Sequence, residues 1–108
     1  MTECNNYLKK SLFVVGEIGQ NGSNVLIVYK SIAKLHEIVP PIVEEITKAT
    51  MTSIEERAVE IVVPGNFSIG CNFGVLTVVN NGNKDDYDQF GCLAAYNVFI
   101  KYYNQRLN

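Results

Sequence analysis

Residues that carry chemistry are scarce in this sequence. Its 108 residues include no tryptophan, one histidine (His36) and three widely separated cysteines (Cys4, Cys71 and Cys92). There is no CxxC pair and no spacing typical of a zinc site, so neither a disulfide framework nor a metal site is expected. An odd number of separated cysteines fits a reducing compartment. We therefore expect no metal, no cofactor and no catalytic residue, and a cytoplasmic location.

Excess charge of one sign and long apolar runs are also missing. Nine basic and eleven acidic residues give a formal net charge of −2. A surface that binds nucleic acid is usually basic. No apolar run reaches the roughly 18 residues that a transmembrane helix needs, and the first residues lack the basic start and apolar core of a signal peptide. We expect neither nucleic acid nor a membrane as a partner.

The strongest pattern is a long helix predicted over residues 84–107, with apolar residues on two faces. One stripe consists of large side chains: Leu93, Tyr96, Ile100, Tyr103 and Leu107. The opposite stripe is mostly small: Tyr87, Gly91, Ala94, Ala95, Val98 and Tyr102. Only a narrow strip is polar: Asp86, Asn97, Lys101 and Asn104. A helix with two apolar faces has to bury both, so a sheet on one side and a partner chain on the other is the simplest arrangement.

Short apolar runs predict strands before and after the middle of the chain. Residues 11–18 and 24–32 are rich in β formers and flank Asn21-Gly22, the strongest short hairpin signal. Residues 67–73 alternate between apolar and polar, and residues 75–79 form a final apolar strand. The near-continuous apolarity of the hairpin predicts that much of both its faces is covered.

Helical periodicity begins at Ile32 and is interrupted by Pro40-Pro41. Because proline inside a helix costs about 3 kcal/mol, we expect a short helical turn to Val39 and then a helix over residues 41–51; a single kinked helix is the alternative. Residues 53–56 have the capping-box spacing of a helix start. They compete with residues 58–63, where β-branched residues favour a strand.

Taken in order, the elements are β-β-α-β-β-β-α, in a single globular domain over residues 1–108. This is an α+β fold, an α/β sandwich in which helices pack on a mixed or antiparallel sheet of about five strands. The hairpin around Asn21-Gly22, and the strand 75–79 followed by Asn80 and a long helix, resemble the roadblock family of dynein light chains and small-GTPase regulators. Profilin-like domains have a similar order. The resemblance implies dimers built by sheet extension and helix packing, without catalysis.

Three groups of residues suggest a chemical role, and each group also has a purely structural explanation. Cys71 and Cys92 with His36 suggest an activated thiol, although both cysteines lie in apolar surroundings, where thiols are inert. Three acids suggest a cation site, but they also suit the start of the last helix, which Asn83 would cap: Asp85, Asp86 and Asp88. The glycine-containing loop 65–74 suggests a ligand loop, although it lacks a phosphate-binding motif.

These observations favour a non-enzymatic interaction or regulatory module, such as a homodimeric scaffold or a small-GTPase or motor regulator. One alternative is a small enzyme or ligand-binding protein with a site near Cys71 and Tyr96 at a subunit interface, and another is an inhibitor or immunity protein. Tyrosine is enriched at interfaces, and small residues allow close approach to a sheet. We therefore predict that the small stripe packs on the chain's own sheet. The protein partner, most simply a second copy, would contact the large stripe: Tyr96, Ile100, Tyr103 and Leu107.

Overall fold

The computed structural model describes residues 2–16, 27, 31–79 and 82–108. We number the elements in chain order. The helices are α1 (Thr2–Lys9), α2 (Ile32–Glu55), α3 (Phe73–Val78) and α4 (Ala94–Leu107), with a 3-10 turn at Lys84–Asp86, and the strands are β1 (Leu12–Val14) and β2 (Glu60–Val62). The predicted hairpin turn at Asn21-Gly22 and most of its second strand lie outside the described residues.

The two strands pair in parallel and are connected through α2. Phe13 lies opposite Ile61 in the ladder, and the Val15 N–H extends it by donating to the Val62 carbonyl at 2.8 Å. Parallel strands need a crossover connection, and α2 supplies it in a β-α-β unit. The predicted mixed or antiparallel sheet of about five strands is therefore wrong for the part of the chain that is described, where one short parallel pair occurs.

Helix α2 is one uninterrupted helix of 24 residues, not a turn followed by a shorter helix. Ser31 caps it by accepting a hydrogen bond from the Lys34 N–H at 3.4 Å. Pro40 and Pro41 lie inside the helix with their rings exposed. Residues on the other side of the helix are buried against the core, namely Leu35, Val39 and Ile46. Tertiary packing of this face offsets the cost of the prolines. Local helix propensity does not include this packing, and so it does not predict the continuous helix.

The end of α2 decides the ambiguous stretch in favour of a helix followed by a strand. Ser53 does not start a helix, because its hydroxyl donates to the Ala49 carbonyl at 2.9 Å within the last turns of α2. The backbone then reverses at Arg57, which has a φ of 77°. Strand β2 follows within the predicted range 58–63.

Neither of the two predicted strands after Pro64 forms. Residues 67–72 are irregular, and Phe67 and Phe73 are 73% and 90% exposed. Residues 73–78 form α3, because Asn72 Oδ1 accepts hydrogen bonds from the Gly74 and Val75 N–H groups at 2.9 and 3.3 Å. This N-cap is a local polar signal that outweighs the β propensity of the valines.

Helix α4 is shorter than predicted and begins at Ala94. Asn83 caps the 3-10 turn instead, accepting from the Asp85 N–H at 3.1 Å. Before α4, the Asp88 carboxylate accepts from the Phe90 and Cys92 N–H groups at 2.8 and 3.0 Å, and Gly91 has a φ of 82°. A positive φ is incompatible with a continuous helix.

The orientation of α4 is the reverse of the prediction. Tyr96, Ile100 and Tyr103 are buried in the chain's own core, together with Phe99. The small residues Ala94, Ala95 and Val98 are exposed. Helix α4 packs against α2 rather than against a sheet, and helix-helix packing accommodates large side chains readily.

The outward face of the strand pair is open in this chain. Leu12, Val14 and Val62 are 59%, 66% and 46% exposed, whereas Phe13 and Ile61 point inward and are half-buried. Among the described residues, no helix combines the length and the apolarity that crossing a membrane would require.

Candidate functional site

The carboxyl ends of β1 and β2 lie at one edge, as parallel strands require. Ligands of open parallel sheets bind beyond this edge. Strand β1 continues into Val15 and Gly16, and β2 continues into Val63 and Pro64. The Gly16 backbone packs directly on the Pro64 ring, because a Cβ placed on Gly16 would overlap the ring carbons. The segments that leave the two strands therefore meet, and this edge is the candidate site.

A side chain from α4 holds the segment that leaves β2. The Asn66 N–H donates to Asn104 Oδ1 at 2.8 Å, and Asn104 Nδ2 donates to the Asn66 carbonyl at 3.0 Å. Gly65 is needed beside this pair, because a Cβ there would lie 2.6 Å from Asn104 Oδ1. One asparagine thus satisfies both main-chain polar groups of Asn66 across 38 positions of sequence.

A second asparagine holds the same segment two helical turns earlier on α4. The Gly70 N–H donates to Asn97 Oδ1 at 2.7 Å, and the Leu93 N–H donates to the Gly70 carbonyl at 2.8 Å. The segment 64–70 therefore lies along α4, with Asn66 near the end of the helix and Gly70 near its start. Asn97 and Asn104 belong to the narrow polar strip of the sequence, and their spacing of seven residues is the signal that they share a face.

The Asn66 side chain is the unusual group of this edge. Asn66 is 8% exposed, and its Nδ2 is buried without a hydrogen-bond partner among the described residues. A buried unpaired donor costs about 1–3 kcal/mol. Such groups are rare and concentrate at functional positions or beside unseen polar partners. The sequence suggested a ligand loop over residues 65–74, which includes Asn66, but it did not single out this side chain.

The two cysteines in the second half of the chain form a disulfide. Cys71 is bonded to Cys92, with their Cα atoms 4.5 Å apart, and Cys4 is the free, exposed cysteine. The expectation of no disulfide is therefore wrong. The sequence hides this pair because only the path of segment 64–70 along α4 brings the two residues together.

The histidine has no thiol partner. The His36 ring packs edge-on against Phe99 with ring centres 5.4 Å apart, and it lies tilted on Tyr102 at 4.9 Å. Because Cys71 and Cys92 are bonded to each other, neither is a free thiol that His36 could activate, and the hypothesis of a thiol-imidazole pair is wrong.

The three acids before α4 are not at the start of that helix, and one of them bonds the backbone. Asp88 is used by the turn that precedes Cys92, and Asp85 lies in the 3-10 turn capped by Asn83. Across residues 2–16, 31–79 and 82–108, no three histidine, cysteine or acidic side chains cluster as metal ligands would.

Burial changes the ionisation of two tyrosines in the core beneath the site. Loss of contact with water raises the pKa of Tyr96 and of Tyr103 above the usual value of 10.0. Both phenols therefore remain neutral over the physiological range and serve as packing groups rather than as bases. Tyr96, Ile100 and Tyr103 are not available on the surface of the single chain, and Leu107 is half-buried. Contact of these four residues with a second chain remains an untested prediction.

Comparison with known proteins relates nearly the whole chain to esterases. It is 33% identical over 107 residues to a GDSL esterase/lipase from Arabidopsis thaliana, with 98% of this chain and 28% of that protein covered. It is 37% identical over 107 residues to a second Arabidopsis thaliana GDSL esterase/lipase (97% and 29% covered) and 37% identical over 103 residues to acetylajmalan esterase 2 from Rauvolfia serpentina (95% and 28%). No protein-family profile and no solved structure matches the chain.

These relatives overturn two expectations. The resemblance to the roadblock family is wrong, and so is the reading of the chain as a non-enzymatic scaffold or regulatory subunit. Among the alternatives that the sequence left open, a small enzyme agrees better with these relatives. Element order was a weak guide, because two of the predicted strands behind it, residues 67–73 and 75–79, do not form. The chain spans less than a third of the length of the relatives it matches, and along nearly all of its own length it is similar to a part of esterases.

Proposed function

We propose that this protein hydrolyses carboxylic esters and that the present chain supplies part of its α/β body. The observation that carries the proposal is the similarity of 94–98% of the chain to proteins named as esterases. The parallel β-α-β unit supports it, because the carboxyl edge of such a unit is where enzymes of this architecture place their ligands.

Within this proposal, the chain shapes the site rather than carrying the whole reaction. Ester hydrolysis through a covalent intermediate needs a nucleophile beside a base, and the described residues offer no such pair. They offer a fixed edge: the segment 64–70, tied to α4 by Asn97 and Asn104, and a buried amide donor on Asn66. Fixed polar groups at such an edge orient a substrate without reorganising during the reaction.

The substrate class we propose is a small ester, with acetyl esters as the first to test. Two of the cited relatives are named only as esterases or lipases, and the third is named for an acetyl ester. The natural-length protein should release p-nitrophenol from p-nitrophenyl acetate, with saturation and in proportion to enzyme concentration. Bovine serum albumin at equal mass provides the background rate. A rate no higher than that background, with butyrate and octanoate esters equally inert, would overturn the proposal.

The location of the protein is a separate question. The sequence predicted a cytoplasmic location, which the structure does not test. The Cys71–Cys92 bond supports an oxidising compartment, where disulfides persist, and we propose that setting instead. Alkylation of thiols in freshly lysed source tissue, followed by mass spectrometry, should label Cys4 and leave the other two cysteines unlabelled. Labelling of all three would favour the cytoplasm.

We also propose a protein partner, most simply a second copy of the chain. The large stripe of α4 is buried within the chain, so the proposal now rests on the exposed apolar residues of α4, namely Ala94, Ala95 and Val98. Sedimentation of the natural-length protein decides between a monomer and a homo-oligomer.

A further inference from the structure

The disulfide closes a loop whose two ends are also joined by hydrogen bonds. Cys71 and Cys92 are 21 positions apart, and the segment 72–91 between them contains α3 and the 3-10 turn. We propose that this disulfide is a redox-sensitive tie that holds the segment 72–91 on the body of the protein, and that its reduction releases this segment alone. The proposal does not depend on the proposed function.

The rest of the fold does not need the disulfide to keep its arrangement. Gly70 lies just before Cys71, and its N–H and carbonyl are bonded to Asn97 and to the Leu93 N–H at 2.7 and 2.8 Å. Asn104 holds Asn66 further along the same segment. Because these bonds lie outside the segment 72–91, they persist when the sulfurs separate, and the candidate site stays in place.

Among its described residues, the segment 72–91 has a small apolar attachment to the core. Val75 is buried, at 6% exposure, and Leu76, Val79 and Tyr87 are half-buried against the core. Three other large side chains are mostly exposed, at 90%, 53% and 79%: Phe73, Val78 and Phe90. Helix α3 has six residues, a length at which a helix has little stability of its own. A segment with few buried apolar contacts belongs to the low-stability end of a structure, where local opening is easiest. The disulfide is therefore the strongest single link between this segment and the core.

The two sulfurs differ in access to a reductant. Cys71 is exposed and Cys92 is half-buried. A thiolate of a reductant attacks the Cys71 sulfur, forms a mixed disulfide with it and releases Cys92 as a thiolate, which takes up a proton. A second reductant thiol then attacks the mixed disulfide and leaves Cys71 as a thiol. Two electrons pass to the protein, and the two reductant sulfurs become a disulfide.

Lysine-specific proteolysis measures the release directly, because Lys84 is the one lysine of segment 72–91. The natural-length protein carries Cys4→Ser, so that no other described thiol reacts, and is digested with and without dithiothreitol. Mass spectrometry follows cleavage after Lys84, and cleavage after Lys101 in α4 is the internal control for global unfolding. We expect reduction to speed cleavage after Lys84 about 10-fold or more, because opening of the loop becomes more frequent. Cleavage after Lys101 should change less than about twofold.

A matched variant, Cys71→Ser with Cys92→Ser, should show the fast cleavage after Lys84 without dithiothreitol and should not respond to it. Three results would overturn the inference. Equal cleavage after Lys84 with and without reductant shows that the tie is not needed. Equal acceleration after Lys84 and Lys101 shows that the bond supports the entire fold. Detection of both thiols in the untreated protein shows that the bond does not form. If the double variant fails to fold, titration of the Cys4→Ser protein with dithiothreitol distinguishes the same outcomes.

Discussion

Asn104 shows how a single polar side chain on a helix fixes a distant piece of backbone. Its two hydrogen bonds satisfy the N–H and the carbonyl of Asn66, both in a part-buried setting. An amide is suited to this because it offers one acceptor and two donors on a planar group. The consequence at the residue scale is that Asn104 fixes the first part of the segment after β2, whereas Asn97 fixes its end at Gly70.

Replacing Asn104 should therefore cost far more than replacing a neighbour on the same helix. Asn104→Leu leaves the main-chain groups of Asn66 unpaired and should lower the free energy of unfolding by about 2–4 kcal/mol. Urea unfolding of the natural-length protein measures it. The exposed Lys101 provides the control, and Lys101→Leu should change the value by less than about 0.5 kcal/mol. Equal effects of the two substitutions would show that the Asn104 bonds contribute little.

The core tyrosines predict a loss of stability at alkaline pH. Burial raises the pKa of Tyr103 above the usual 10.0, so the folded state binds the phenolic proton more tightly than the unfolded state. The resulting stability is fully present below pH 10.0 and is lost as the pH rises through the folded pKa. Tyr103→Phe should reduce the fall in unfolding free energy between about pH 8 and about pH 11, whereas Tyr7→Phe, at an exposed position, should not. An unchanged fall in Tyr103→Phe would argue against a role for this phenol.

At the scale of elements, α2 and α3 depart most from local expectation. Helix α2 runs through two prolines because its buried face packs against α4 along several turns. Helix α3 replaces a predicted strand because Asn72 caps its first N–H groups. In both cases, an interaction outside the local apolar pattern decides the secondary structure. Apolar periodicity by itself does not contain that information.

The prolines of α2 should be destabilising where they stand. Replacement of both by alanine restores two backbone donors and removes two ring clashes, worth up to about 3 kcal/mol each, while the unfolded chain gains entropy worth up to about 1 kcal/mol each. We expect a net gain of about 1–3 kcal/mol, seen as a higher melting temperature by circular dichroism. Lys34→Ala on the same helix is the control and should be near neutral. A lower melting temperature would mean that the prolines stabilise the observed geometry.

At the scale of the whole molecule, the chain is more extended than a compact domain of its length. Its radius of gyration is 17.3 Å, whereas a compact domain of about 100 residues has about 13 Å. The parallel strand pair exposes Leu12, Val14 and Val62 on its outer face, although parallel sheets are ordinarily covered on both faces. The expectation of a single globular domain over residues 1–108 remains untested.

We therefore predict that the outer strand face is covered in the natural-length protein. Val14→Lys should lower its unfolding free energy by about 2 kcal/mol or more, since it would bury an unpaired charge. The same substitution in the 108-residue chain alone should be near neutral and should reduce binding of an apolar dye. Lys9→Ala, outside the sheet, is the control in both proteins. A neutral Val14→Lys in the natural-length protein would show that this face remains open to solvent.

The sequence by itself determined the features that depend on neighbours along the chain. β-branched residues located β2 within residues 58–63, helical periodicity located the buried face of α2, and the pattern of α4 identified its two apolar stripes and its polar strip. These patterns depend on spacing, so the residues alone suffice to show them.

Tertiary structure decided the features that depend on residues far apart. The parallel pairing of β1 with β2, the Cys71–Cys92 bond and the contact of Asn104 with Asn66 each join positions at least 21 apart. Tertiary structure also decided which stripe of α4 is buried. Helix α2, rather than a sheet, lies against α4, and helix-helix packing favours the stripe of large side chains. The candidate site is made almost entirely of such contacts, and this is why composition and periodicity pointed away from an enzyme.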